Sequence, residues 1–224
     1  MMPRSITAQV SAIISAYNEE GTIEQVVKSL RASPYLNEVL VISDGSTDLT
    51  AQRARASGAT VYQIPRRGGK GKAMLHALTH TTAPIVAFFD GDLRGLTAAH
   101  VEQLVLPVLN GSRVMNVGLR DRGRWVTALT RHLPLISGER AMVRSVMENT
   151  PPQFLNGFMV EASLNYYCRS HGLPYGSVEL KGLSMRRKFE KVGWPRAVLQ
   201  YTCMFFQVAK AMGLVRVAHL RGKF

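Results

Sequence analysis

The sequence predicts an α/β fold in which a mainly parallel, Rossmann-like sheet is flanked by helices. Three observations carry that expectation. Short apolar, largely β-branched runs recur at Val10–Ser15, Glu38–Ser43, Ala59–Ile64 and Ile85–Phe89, as strands buried on both faces require. Segments of helical spacing separate them, and each run empties into a turn rich in polar residues or glycine. Such alternation builds right-handed crossovers, and ligands of such sheets bind at the carboxyl ends of the strands.

Taken in order, Gly21–Leu30 places Ile23, Val26, Val27 and Leu30 on one helical face. Asp44-Gly45-Ser46-Thr47-Asp48 supplies a turn and an N-cap for a helix that stops at Gly58. A basic, glycine-rich loop, Arg66-Arg67-Gly68-Gly69-Lys70-Gly71-Lys72, precedes a helix from Ala73 to about Thr81. A helix through Val101–Leu109 and a strand at Val114–Gly118 follow. The basic stretch Arg120–Arg131 leads to Ser137-Gly138-Glu139. Helical patterns come next at Arg140–Met147 and Val160–His171, then a strand near Ser177–Leu180. The last helix, roughly Pro195–Met212, is amphipathic, with Arg196, Gln200, Gln207 and Lys210 on one stripe. No repeat, low-complexity tract or linker divides the chain, so residues 1–224 are expected to form one domain.

Composition narrows the partners. Apolar residues at 46% supply a continuous core, and a formal charge of +13 favours anionic ligands: a nucleoside diphosphate, a phosphorylated acceptor or acidic lipid headgroups. The basic residues are dispersed and not interleaved with aromatics, so nucleic acid is not an expected partner. Cys168 and Cys203 lack metal or redox spacing and are expected as reduced core residues. The start, Met1-Met2-Pro3-Arg4-Ser5, lacks the pattern of a secretory signal, which sets the expectation of a cytoplasmic protein. The final helix is too polar for a comfortable membrane span. It is expected to pack on the core; peripheral contact with the acidic inner face of a membrane is the alternative, given Arg186, Arg187, Lys188 and Lys191 before it and Arg216, Arg221 and Lys223 after it. No pattern sets an oligomeric state.

Asp90-Gly91-Asp92 directly follows an apolar strand, so both carboxylates stand at the ligand-binding edge, where they can converge on one hard cation. A Mg²⁺ or Mn²⁺ ion there would offset the charge that develops on a departing diphosphate. Alone, Asp-x-Asp is more often a surface turn; its place after this strand favours the site. Asp44 ends the second strand, where a carboxylate can meet a nucleobase imino hydrogen or a nucleoside hydroxyl, whereas Ser46, Thr47 and Asp48 suit a helix cap. The Gly68–Lys72 loop opens a helix whose amides and dipole favour phosphate, with Lys70 and Lys72 adding charge, although it is not a Walker loop. Glu139 and Glu161 are the candidate general bases, which an inverting transfer to a hydroxyl needs and a retaining transfer does not.

In order and spacing, Ser15-Ala16-Tyr17-Asn18-Glu19-Glu20, Ser43-Asp44-Gly45-Ser46-Thr47-Asp48, Gly69-Lys70-Gly71-Lys72-Ala73 and Phe89-Asp90-Gly91-Asp92 resemble the motif series of family 2 glycosyltransferases, which have the GT-A fold. Pro134–Glu139 and Gly157–Glu161 resemble, more loosely, the acceptor region of glucosyl-3-phosphoglycerate synthases and polyprenyl-phosphate sugar transferases. The resemblance implies a nucleotide-binding half at about residues 8–118 and an acceptor half at about 119–224. It implies that Ala16, Tyr17 and Glu19 line the nucleoside, Asp44 meets the base, Lys70 lies near the phosphates, and Asp90 and Asp92 hold the metal. Two departures stand out: Ser43 replaces a frequent Asp, and Met185-Arg186-Arg187-Lys188 replaces the segment that often carries a late His ligand. The expected activity is transfer of a hexosyl unit from a UDP- or GDP-sugar, with Mg²⁺ or Mn²⁺, to an anionic acceptor such as a polyprenyl phosphate or small phosphorylated metabolite. Asp92, Glu161 and Glu139 are the catalytic candidates, and Arg187 is expected on the diphosphate or the acceptor phosphate. The alternatives are a non-catalytic nucleotide- or membrane-binding homologue and a sugar nucleotidyltransferase.

Overall fold

The computed structural model describes residues 9–120, 137–155 and 159–185, together with Gly213 and Val217. The four expected strands appear as β1 (Val10–Ala16), β2 (Glu38–Asp44), β3 (Thr60–Ile64) and β4 (Ile85–Asp90). Between them run α1 (Ile23–Arg31), α2 (Thr50–Ala56) and α3 (Lys70–Leu78). β5 (Leu93–Arg94), α4 (Ala98–Leu109), β6 (Met115–Arg120), β7 (Arg140–Val143), α5 (Arg144–Glu148), α6 (Met159–Ser170), β8 (Tyr175–Leu180) and β9 (Ser184–Met185) complete the described chain. None of its helices is long and apolar enough to cross a membrane. The final helix expected at Pro195–Met212 and Arg187 lie outside the described residues.

Seven strands form one sheet in the order β3-β2-β1-β4-β7-β6-β8. β1, β2, β3 and β4 run parallel, as do β6 and β8, while β7 is antiparallel to both of its neighbours. The period of two divides the apolar residues between the faces. Ala12 and Ile14 pack with Ile23, Val26, Val27 and Leu30 of α1 and Val101 and Leu104 of α4. Ile13 packs instead with Ala73, Met74 and Ala77 of α3 and Val160, Leu164 and Cys168 of α6. Strands from both halves of the chain therefore share one core on each face. Cys168 is a free, buried thiol, as expected.

Two expectations need correction. Arg140–Met147 does not form one helix: Arg140–Val143 is a strand and only Arg144–Glu148 is helical. Helical spacing is present locally, but β4 and β6 leave a slot between them whose backbone groups must be paired. A segment buried on both sides satisfies them as a strand. α3 also begins at Lys70 rather than Ala73, which moves Lys70 from a loop to the first turn of a helix.

Gly71 shows how tightly that turn is held. A Cβ there would sit 1.8 Å from the Leu155 carbonyl oxygen and 2.8 Å from Val160 Cγ2. Because backbone cannot yield as a flexible side chain can, Gly71→Ala is expected to cost about 1–3 kcal/mol or more of stability, read as a lowered urea midpoint. An unchanged midpoint would mean that α3 is not packed this closely.

Candidate active site

The parallel register sets the ends of β1, β2 and β4 abreast: Ser15 pairs with Asp90 and Ala16 with Ser43. A cleft of about 660 Å³ opens at this edge, lined by Ala16, Tyr17, Glu19, Asp44, Lys70, Asp90 and Asp92 among others. A second hollow of about 510 Å³, lined by Gln9, Glu38 and His80 among others, holds none of these groups.

The loops around the cleft are tied by side chain to backbone hydrogen bonds. Asn18 N–H donates to Ser46 Oγ (3.2 Å), Glu19 N–H to Thr50 Oγ1 (2.8 Å) and Glu20 N–H to Asp48 Oδ2 (3.2 Å). Thr47 N–H donates back to Asn18 Oδ1 (2.9 Å), where Asn18 takes a left-handed φ of 54°. Asn is among the few residues that tolerate that conformation. Ser46 and Asp48 therefore join the β1 and β2 loops, and Asp48 also accepts the Thr50 N–H (3.0 Å). Both oxygens of the buried Asp44 carboxylate accept backbone N–H bonds from Gly68 and Gly69, each at 2.7 Å. Asp44 thus anchors the glycine-rich loop from the end of β2. The same loop lays the Arg67 guanidinium over the Tyr17 ring, 4.1 Å from its centroid.

A dense electrostatic cluster forms the floor. Lys70 Nζ lies 2.6 Å from Asp90 Oδ1 and 3.6 Å from Glu161 Oε1. Glu139 is fully buried; its Oε2 accepts from Ser137 Oγ (2.6 Å) and lies 3.3 Å from Arg120 Nε. Burial, and then the charge of Asp90, push the Glu139 carboxyl above its ordinary value. Burial also opposes ionisation of Asp90, but the charges of Lys70 and Arg120 and hydrogen bonds from Lys70 and Glu139 outweigh it and hold Asp90 below the usual carboxylate range. The pKa values of the two neighbouring carboxyl groups are thus pushed apart, Glu139 upward and Asp90 downward. Burial works against the charge on Lys70, but the nearby carboxyl groups of Asp90, Glu161 and Glu139 outweigh it and raise the Lys70 pKa above its ordinary value.

The turn before β7 closes over this cluster. A Cβ on Gly138 would lie 2.2 Å from Lys70 Nζ and 2.6 Å from Asp90 Oδ2, so a larger residue there would have to displace the Lys70–Asp90 pair. Beneath it the buried Arg140 guanidinium donates to the Ser137 carbonyl (2.6 Å). Glu161, on α6, is buried, and its Oε2 has no hydrogen-bond partner.

Asp92 is brought to the cleft by the short β5, which pairs Leu93 with Met185 of β9. The late segment therefore runs beside the carboxylate pair. His100 holds that arrangement. It accepts the Thr97 N–H on Nδ1 (3.2 Å), which leaves Nε2 to donate to the Lys181 carbonyl (2.8 Å).

Of the residues singled out from sequence, Ala16, Tyr17, Glu19, Asp44, Lys70, Asp90 and Asp92 come together in the cleft, and Glu139 and Glu161 join them through Lys70 and Asp90. Gly138 and His100 were not legible as site residues. The Ser-Gly-Glu turn was the only hint of the first, and nothing marked His100.

Residues 11–170 match the Glycosyl transferase family 2 model. The chain belongs to glycosyl transferase family 2. It is 38% identical over 117 residues to the glucosyl-3-phosphoglycerate synthase of Mycobacterium tuberculosis (strain ATCC 25618 / H37Rv), a match covering 48% of this chain and 36% of that one. Against the Mycolicibacterium paratuberculosis enzyme of the same name the identity is 30% over 193 residues, covering 69% and 58%. The matches thus span less than two thirds of these relatives' length. The Mycobacterium tuberculosis synthase in complex with Mn²⁺, uridine-diphosphate-glucose and phosphoglyceric acid superposes with a TM-score of 0.78 at 29% identity, covering 93% of this chain and 80% of that chain. A complex of the same synthase with glycerol 3-phosphate in place of phosphoglyceric acid gives 0.77 at 30%, with the same coverage. The expected GT-A, Rossmann-like architecture of family 2 is thereby established.

The raised pKa of Glu139 has a signature in stability. Its folded pKa lies above the ordinary 4.5, so between 4.5 and that raised value the native state keeps a proton that the unfolded chain releases, and stability falls as pH rises through the window. Glu139→Gln is expected to lose that downward slope in urea unfolding measured across pH; an identical slope would show that Glu139 is not held protonated.

Proposed function

We propose that the chain transfers a hexosyl unit from a nucleoside-diphosphate sugar to a small phosphorylated acceptor, in a metal-dependent reaction. The observation that carries this reading is the cluster of half-buried Lys70 and Asp90 with buried Glu139 and Glu161, beside Asp92 at the mouth of a strand-end cleft. Family membership supports glycosyl transfer over nucleotidyl transfer, and the ionised carboxylate at the strand end supports catalysis over binding alone. The mycobacterial structures that resemble the chain over 93% of its length contain a UDP-sugar together with a phosphorylated acid or a glycerol phosphate. That favours UDP-glucose as donor and a phosphorylated metabolite over a polyprenyl phosphate as acceptor.

Asp90 and Asp92 suit Mg²⁺ or Mn²⁺. Both are hard oxygen donors, Asp90 is held ionised, and the intervening Gly91 sits so close to β1 that its Cβ would lie 3.1 Å from Ala16 Cβ. A cation bound there supplies electrostatic stabilisation of the leaving diphosphate. Ala16, Tyr17 and Glu19 border the nucleoside. Asp44 sets the loop whose Lys70 approaches the phosphates, so its role toward the base is exerted next to, and partly through, that loop. Glu161 Oε2, which has no hydrogen-bond partner among the described residues, is placed to accept a hydrogen bond from a sugar or acceptor hydroxyl; Arg187, outside the described residues, is proposed from the sequence alone to hold the diphosphate or the acceptor phosphate.

Release of UDP or GDP from a panel of donor sugars, with and without Mn²⁺ and with phosphorylated and unphosphorylated acceptors, tests this reading. Transfer is expected only with the cation and the phosphorylated acceptor. Asp92→Ala is expected to lower kcat by about 10²–10³-fold, the scale for removing one contact to a developing oxyanion, with the fold intact by circular dichroism. Unchanged turnover in Asp92→Ala would remove the mechanism. Glu161→Gln keeps the shape of the side chain and is expected to lower kcat/KM; an unaltered value would exclude Glu161 from contact with substrate.

A further inference from the structure

Lys70 does not stand free at the mouth of the cleft. Its Nζ sits 2.6 Å from Asp90 Oδ1, on the carboxylate assigned above to the divalent cation. A cation bonded to that oxygen at about 2.0–2.2 Å would lie within about 5 Å of the ammonium. In this half-buried setting, repulsion at that range is only partly screened by salt. Asp90 therefore cannot hold both charges at full strength.

The backbone offers no escape. Gly68 and Gly69 are held by Asp44, and Gly71 is seated against the Leu155 carbonyl, so the Cα of Lys70 stays where it is. On one side the Nζ is fenced by Gly138, where even a methyl group would come within 2.2 Å. Two directions remain for the side chain: toward Glu161 Oε1, now 3.6 Å away, and outward into the cleft. A diphosphate in the cleft would meet the first turn of α3, whose amide groups favour anions, and would draw the ammonium along the outward path.

We infer that Lys70 and the divalent cation compete for Asp90, and that the donor's diphosphate, by drawing Lys70 away, couples nucleotide binding to cation binding. This rests on the assignment of Asp90 and Asp92 as the cation site. Cation alone binds weakly because it must displace an ion pair; cation and diphosphate bind well together because each removes the other's competitor. Thermodynamic reciprocity requires the nucleotide to gain from the cation by the same factor that the cation gains from the nucleotide.

The test is calorimetric titration of the full chain with Mn²⁺, alone and with UDP present, for the parent, Lys70→Met and Lys70→Arg. Lys70→Met is expected to bind Mn²⁺ without nucleotide about 10-fold more tightly than the parent, with a smaller gain on adding UDP, while Lys70→Arg stays close to the parent. Equal or weaker Mn²⁺ affinity in Lys70→Met, with the parent still binding Mn²⁺ when UDP is present, overturns the competition and leaves the cation site standing. No Mn²⁺ binding in any state overturns both. Should Lys70→Met not fold, the unaltered protein decides: Mg²⁺ alone is expected to raise the labelling of Lys70 by acetic anhydride, read by peptide mass spectrometry, and adding UDP to lower it again. Labelling indifferent to Mg²⁺ contradicts the competition.

Discussion

Placing the carboxyl groups of Asp90, Glu139 and Glu161 around one point is unfavourable by itself, because an uncompensated buried carboxylate costs several kcal/mol and both Glu139 and Glu161 are buried. The structure offsets that cost with positive charge. Lys70 lies against Asp90 and Glu161, and Arg120 lies against Glu139. Much of the surrounding chain serves that balance. Gly138 leaves room for the Lys70–Asp90 pair, Arg140 secures the turn above it, and Asp44 ties down the loop from which Lys70 emerges.

The topology brings the parts together. β7 inserts antiparallel between β4 and β6, pairing Phe88 with Arg140, so the residues just beyond one and just before the other meet: Asp90 and Glu139. A purely parallel sheet would carry Glu139 to the opposite edge. α3 delivers Lys70 from the first half of the chain and α6 delivers Glu161 from the second, so the cluster joins the two. A group-transfer site needs that placement, because the leaving group and the acceptor approach the reacting carbon from different sides. The likeness to glucosyl-3-phosphoglycerate synthase structures across 93% of the chain fits this arrangement.

The first half of the fold was legible because β1, β2 and β4 are short and apolar on both faces, with no competing helical period. Tyr17, Asp44, Asp90 and Asp92 were legible for the same reason: each ends or closely follows such a strand. The second half was harder. Arg140–Val143 has helical spacing, yet the backbone groups of β4 and β6 claim it as a strand. β5 and β9 are two residues each, too short to leave a pattern, although their pairing fixes the chain just after Asp92. Asp44 was legible as a site residue, but not the fact that both its oxygens hold backbone amides, since a loop's hydrogen-bond partners are set by the fold. The opposite pKa shifts of Glu139 and Asp90 are likewise a property of burial and proximity, which residue identity does not encode.

The central claim is that the carboxylate pair at the end of β4 and a nucleotide diphosphate share one divalent cation. A crystal structure of the chain grown with UDP and Mn²⁺, with data collected at the manganese absorption edge, tests it directly. The account predicts a single strong anomalous peak in coordination distance of Asp92 and of both phosphates of UDP in the cleft bordered by Tyr17 and Lys70. Ordered UDP with the manganese peak remote from Asp90 and Asp92 would contradict it.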